Sequence, residues 1–143
     1  MLEYQATTTI AAPAAKVWAV LVDTAKWPQW DPSCERIEGE VALGNKIKAF
    51  TKLSPGRAFP VKVTEYRAGE RMTWTGGMPR GLFKGVRTFT LTPAGTGPTR
   101  FHMREEYTGP LLPLIWRSMP DLQPSFDQFT QGLKQRVEHS PAR

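Results

Sequence analysis

Leu122, Phe126, Phe129, Leu133 and Val137 stand 4, 3, 4 and 4 residues apart. That spacing draws one apolar stripe along a helical face. Asp127, Gln131, Lys134, Gln135 and Glu138 occupy the polar side. A helix of this length is marginal alone in water, so the stripe needs a partner surface. The residues upstream read as the sheet that supplies it.

From Cys34 to Thr108 the apolar period changes to two. CERIEGEVAL reads as a strand and Gly44-Asn45 as a turn. In NKIKAFTKL, Ile47, Ala49, Thr51 and Leu53 alternate with Lys46, Lys48, Phe50 and Lys52. FPVKVTEY puts Phe59, Val61 and Val63 on one face, and RMTWTG does the same with Met72 and Trp74. GLFKGVRTFTLTP places Arg87, Phe89 and Leu91 together. TRFHMREEYTG places Phe101, Met103, Glu105 and Tyr107 together. The connections are short, which predicts an antiparallel meander.

Ahead of this meander, LEYQATTTI reads as a strand. AAPAAKVWAVLVD reads as a helix with Pro13 in its first turn and Val17, Trp18 and Leu21 on one face. Asp23 or Thr24 can cap a second short helix, TAKWPQW, which Pro28 and Pro32 keep short. Pro120 and Pro124 predict a break within residues 118–124, with a regular helix from about Ser125. The order is strand, two short helices, six strands, long helix. It predicts an α+β fold in which a curved antiparallel sheet of about seven strands wraps the C-terminal helix. At 143 residues, one domain over 1–143 is expected.

Several function classes are disfavoured. The formal charge is +6, but the basic residues are scattered from Lys16 to Arg143, so no nucleic-acid partner is expected. No apolar run has the length of a membrane span, and MLEYQATTTI has no signal-peptide pattern. The single cysteine, Cys34, forms no internal disulfide and suits a reducing cytoplasm. His102 and His139 have no metal-ligand spacing, and no serine has a triad pattern. GGMPRGLFKG lacks the Gly-Lys-Ser/Thr ending of a phosphate loop, so no cofactor is expected.

The candidate site residues lie on the inner face that alternation defines. Arg87 and Glu105 share consecutive strands with Phe89, Phe101 and Met103. Two readings stand: an internal salt bridge, or a polar anchor in which Arg87 donates to a ligand and Glu105 accepts. Tyr107 adds a hydroxyl. Met72, Trp74, Met78, Phe126 and Phe129 line the same space, either as core or as an adaptable apolar wall. Within WPQWDP, Trp27 reads as core, while Trp30 reads equally as core plug and pocket wall. No catalytic residue is identified.

Three stretches carry a family resemblance: IAAPAAKVWAVLVDTAKWPQWDP, RMTWTGGMPRGLFKGVRTFTLTP and TRFHMREEYTGPLLPLIWR. Together they resemble the START-like, or helix-grip, superfamily (SRPBCC), in its polyketide cyclase/dehydrase-like branch. Pro120 and Pro124 depart from the smoother final helix of that pattern. The resemblance implies a cavity between sheet and helix that holds a lipid-like, polyketide or aromatic molecule. The alternatives are a cyclase/dehydratase acting on a polyketide-like substrate, and an interaction module whose basic face or LLPLIW segment meets a membrane surface or a protein. LLPLIW is otherwise expected to cap the cavity.

Overall fold

The structure is a computed structural model, and it describes residues 2–52, 56–117 and 121–139. Seven strands run as β1 (Leu2–Ile10), β2 (Cys34–Glu38), β3 (Lys46–Thr51), β4 (Ala58–Arg67), β5 (Arg71–Gly77), β6 (Lys84–Pro93) and β7 (Thr99–Thr108). They form one antiparallel sheet in the order β1-β7-β6-β5-β4-β3-β2. Helix α1 (Ala14–Val22) and a 3₁₀ turn (Thr24–Gln29) separate β1 from β2. A short helix α2 (Leu112–Trp116) and the long helix α3 (Gln123–Glu138) close the described chain. This is the α+β arrangement expected from the order of elements, and the helix-grip fold that the resemblance implies.

The apolar stripe is buried as its spacing demands. Phe126, Phe129, Leu133 and Val137 are all at most 3 % exposed. They meet Val63, Met72, Phe89, Phe101 and Met103 from the inner face, with Val17 and Leu21 of α1 joining the same core. Polar contacts then tie α3 to the end of β1. Lys134 Nζ donates to the Thr9 carbonyl at 2.6 Å, and the Ala11 amide donates to Glu138 at 2.8 Å.

Some expectations change. β2 ends at Glu38 rather than Leu43, where Gly39 turns the chain with φ 111°. Phe59 does not share the burial of Val63; it is 37 % exposed, beside Arg57 near the start of β4. Phe50 lies on the lysine face of β3 yet is buried, because the Arg36 guanidinium covers its ring at 3.7 Å. Pro124 does not break α3. It sits in the first turn, where a missing N–H costs nothing. Pro120 and Leu53 lie outside the described residues. Among the described residues, no helix is long and apolar enough to cross a membrane.

Candidate functional site

Sheet register brings the candidate charges together. Val63, Trp74, Arg87, Glu105 and Tyr4 are successive cross-strand partners over β4, β5, β6, β7 and β1. All five therefore stand in one row on the concave face. Arg87 Nε and Nη2 both donate to Glu105 Oε1, at 2.7 and 2.6 Å. The Arg87 side chain is 28 % exposed and that of Glu105 is 15 %. The pair is thus neither sealed in the core nor open to bulk water. Burial disfavours the charge on Arg87, but Glu105, with help from Tyr107 and Asp31, outweighs it and raises the pKa above its ordinary value.

The next inner row explains how the carboxylate fits. Gly76 pairs with Gly85, and Gly85 pairs with Tyr107. A Cβ on Gly85 would stand 2.9 Å from Glu105 Oε2 and 3.4 Å from the Tyr107 ring. The missing side chain is what lets the carboxylate and the phenol lean over the strand. Burial, then the Glu105 charge, pushes the Tyr107 hydroxyl above its ordinary pKa, so it stays protonated.

Aromatic rings cover this pair. Trp116 of α2 stacks on Tyr4 at 5.6 Å, and Tyr4 also meets Phe126 at 5.6 Å. Phe83, from the β5–β6 loop, stacks on Tyr107 at 5.9 Å, and the Arg87 guanidinium lies 4.8 Å from the Phe126 ring. The loop and α2 are joined by the Leu111 amide, which donates to the Leu82 carbonyl at 3.0 Å. LLPLIW therefore lies over the inner face, with Leu112 buried and Leu114 67 % exposed.

Deeper between sheet and helix, side chains fill the space. Trp27 lies parallel to Trp74 at 5.2 Å and edge-on to Phe129 at 5.0 Å, while Trp30 meets Phe129 at 5.0 Å. Trp27 and Trp30 are 3 % and 8 % exposed, so the segment plugs this end of the core. Met72, Trp74, Phe89, Phe101, Met103, Phe126 and Phe129 belong to the same buried cluster. Met78 does not. It is 43 % exposed, because β5 ends at Gly77 and the chain turns outward with φ 139°. Two surface depressions, of about 290 and 190 Å³, lie elsewhere: one beside Ala11–Pro13, the other on the outer face around His102 and Arg104.

Asp31 is a polar group that alternation did not reveal. It is 6 % exposed and accepts the Ser33 amide at 3.2 Å and hydroxyl at 3.0 Å, both on Oδ1. Desolvation raises its pKa, while the Ser33 bonds and the charges of Arg87 and Lys52 work the other way. An Asp two residues before a Ser signals this local turn, but nothing in the sequence signals its burial. Cys34 is buried beside it, and desolvation followed by the Asp31 charge pushes its thiol up to about 12. That makes it an inert core residue rather than a nucleophile. Among the described residues, no group of three His, Cys, Asp or Glu side chains has the arrangement to hold a metal.

A curled seven-stranded antiparallel sheet with a long C-terminal helix in its grip defines the helix-grip class of α+β folds. Within that class the chain belongs to the family described as "Polyketide cyclase / dehydrase and lipid transport", which it matches over residues 1–138. No curated protein matches it. Solved structures share the fold. A hypothetical protein from Helicobacter pylori aligns with TM-score 0.77 at 14 % identity, over 95 % of this chain and 88 % of that one. A START superfamily protein from Mycobacterium smegmatis aligns with TM-score 0.67 at 17 % identity, over 95 % and 97 %. The di-domain ARO/CYC protein BexL, from the BE-7585A biosynthetic pathway, aligns with TM-score 0.71 at 17 % identity, over 96 % of this chain and 47 % of that one.

Proposed function

We propose that the protein binds a hydrophobic small molecule between the inner sheet face and α3, with its polar end at Arg87 and Glu105. The observation that carries this is the ion pair itself, set on an otherwise apolar wall beneath Trp116, Phe83 and Tyr107. A charged pair in such surroundings costs more desolvation than a structural strut requires, since apolar side chains would pack there at least as well. Its geometry leaves capacity for a guest. Arg87 gives Nε and Nη2 to one carboxylate oxygen, so the pair itself does not use Nη1. The guest's acceptor would meet Nη1, and a guest hydroxyl would join the Tyr107 hydroxyl at Glu105. Affinity would come from apolar burial as the rings over the pair separate.

Quenching of tryptophan fluorescence tests this, with dodecanoic acid as a lipid-like probe and xanthone as an aromatic one. Saturable binding of either, weakened about tenfold or more in Arg87→Met, supports the reading. No binding of either probe contradicts it. A cyclase or dehydratase built on the same site would use Glu105 as its proton acceptor. Glu105→Gln would then abolish turnover while binding survives.

A second reading is supported by the rim. Met78, Leu82 and Leu114 are 43 %, 38 % and 67 % exposed on the two segments that clasp over the site. Those segments, residues 76–84 and 108–117, carry Arg80, Lys84 and Arg117 but no acidic residue. Exposed apolar side chains among unopposed basic ones fit an anionic lipid surface. Co-sedimentation with vesicles containing phosphatidylglycerol should fall in Leu114→Asp and with added salt. Leu43→Asp, equally exposed but on the β2–β3 connection, should leave it unchanged.

A further inference from the structure

Two buried hydrogen-bond donors in the aromatic plug have no acceptor. Among the described residues, Trp30 Nε1 and Trp74 Nε1 are fully buried without a partner, in side chains 8 % and 4 % exposed. The third indole of the cluster shows the ordinary solution, since Trp27 Nε1 donates to the Leu21 carbonyl at 2.9 Å. An unpartnered buried N–H is uncommon and costs the full desolvation of the group. A phenylalanine would fill most of the same space without that cost.

The two donors belong to one aromatic cluster. Trp30 and Trp74 both pack on the Trp27 ring, at 5.7 and 5.2 Å. Trp74 is the direct cross-strand partner of Arg87, and Asp31, next in sequence to Trp30, senses the Arg87 charge. Trp74 therefore adjoins the Arg87–Glu105 row on the side away from Tyr4, and Trp30 reaches it through Trp27.

We propose that Trp30 and Trp74 are ligand donors, which select guests carrying a carbonyl or ether oxygen over hydrocarbons of the same shape. This rests on the interior binding site proposed above and assigns its deep end. Trp27 and Trp74 stack in parallel, 7° apart, so a guest that displaces one ring and takes its place on the other would be a flat oxygenated ring system. Arg87 and Glu105 hold the outer polar end, and the indoles hold the inner one. Discrimination follows because a guest without the oxygen leaves the donors as unsatisfied as before, whereas one with it repairs them.

Xanthone and anthracene are flat three-ring probes of nearly equal shape, and only xanthone carries oxygen. Wild-type protein should bind xanthone about tenfold more tightly than anthracene. Trp74→Phe or Trp30→Phe should bring that ratio towards one. Trp27→Phe, which removes an already bonded N–H, should weaken both probes alike and keep the ratio. The ratio within one variant is insensitive to a general loss of stability. In addition, the indole N–H proton resonances of Trp30 and Trp74 should move downfield with xanthone and not with anthracene. Equal affinity of wild type for the two probes, or an unchanged ratio in both Trp30→Phe and Trp74→Phe, overturns the donor assignment alone. Failure of both probes to bind overturns the interior site on which it rests.

Discussion

The backbone carbonyl of Trp30 occupies the position where a side chain on Gly132 would begin. Gly132 lies in the middle of α3, where glycine is otherwise a poor choice. Its lack of a Cβ is what lets the WPQWDP segment lie flat on the helix and insert Trp27 and Trp30 beneath it.

Gly132→Ala therefore sets two effects against each other. Helix propensity favours alanine by about 1 kcal/mol. The collision is with backbone rather than a movable side-chain tip, so the segment must shift, at a cost of roughly 1–3 kcal/mol or more. A net loss of stability is expected in urea denaturation, with a change in tryptophan emission. Greater stability would show that the segment is free to move off the helix.

The Arg87–Glu105 pair predicts a non-additive mutant cycle. Arg87→Met leaves a carboxylate that is 15 % exposed without its partner, and should cost about 1–3 kcal/mol. Adding Glu105→Met should recover most of that loss. The recovery would be read from denaturant midpoints of the four proteins.

Asp31 should make stability fall as pH rises. Burial raises its folded pKa above the ordinary value of an aspartate, so the folded state prefers the protonated acid. Relative to an uncharged residue, stability is complete below that value and is lost as pH climbs through the folded pKa. Asp31→Asn keeps an oxygen for Ser33 and removes the titration. The variant should match wild type near pH 3.5 and become the more stable protein towards neutrality. Thermal denaturation at both pH values checks this.

Cys34 supplies a chemical clock for opening of the core. A thiol that is 6 % exposed and pushed up to about 12 should react slowly with iodoacetamide at pH 8. Labelling should accelerate by orders of magnitude in denaturant, and a bound guest should slow it further. Rapid labelling of the native protein would mean that the 3₁₀ turn and β2 open readily on their own.

Much of the architecture was legible because periodicity is local. The stripe from Phe126 to Val137 and the alternation through β6 and β7 each report which side is buried, and Arg87 does face Glu105 because no bulge intervenes between those strands. What was hidden depends on contacts distant in sequence. Asp31 looks like a solvated turn residue until β2 and the 3₁₀ turn enclose it. Trp116 and Phe83 carry no pattern that ties them to Tyr4 and Tyr107, since short irregular segments have no period to read. Met78 is expected to line the same space as Trp74, but the glycine turn at Gly77 carries it outside.

The most direct test of an interior site anchored at Arg87 is a ¹⁵N-resolved NMR titration with xanthone, following the Arg87 Nε–H and the amides of Tyr107 and Phe126. The account predicts that these signals shift together and saturate. Saturation with no change at Arg87, or with changes confined to the outer face around His102 and Arg104, would contradict it.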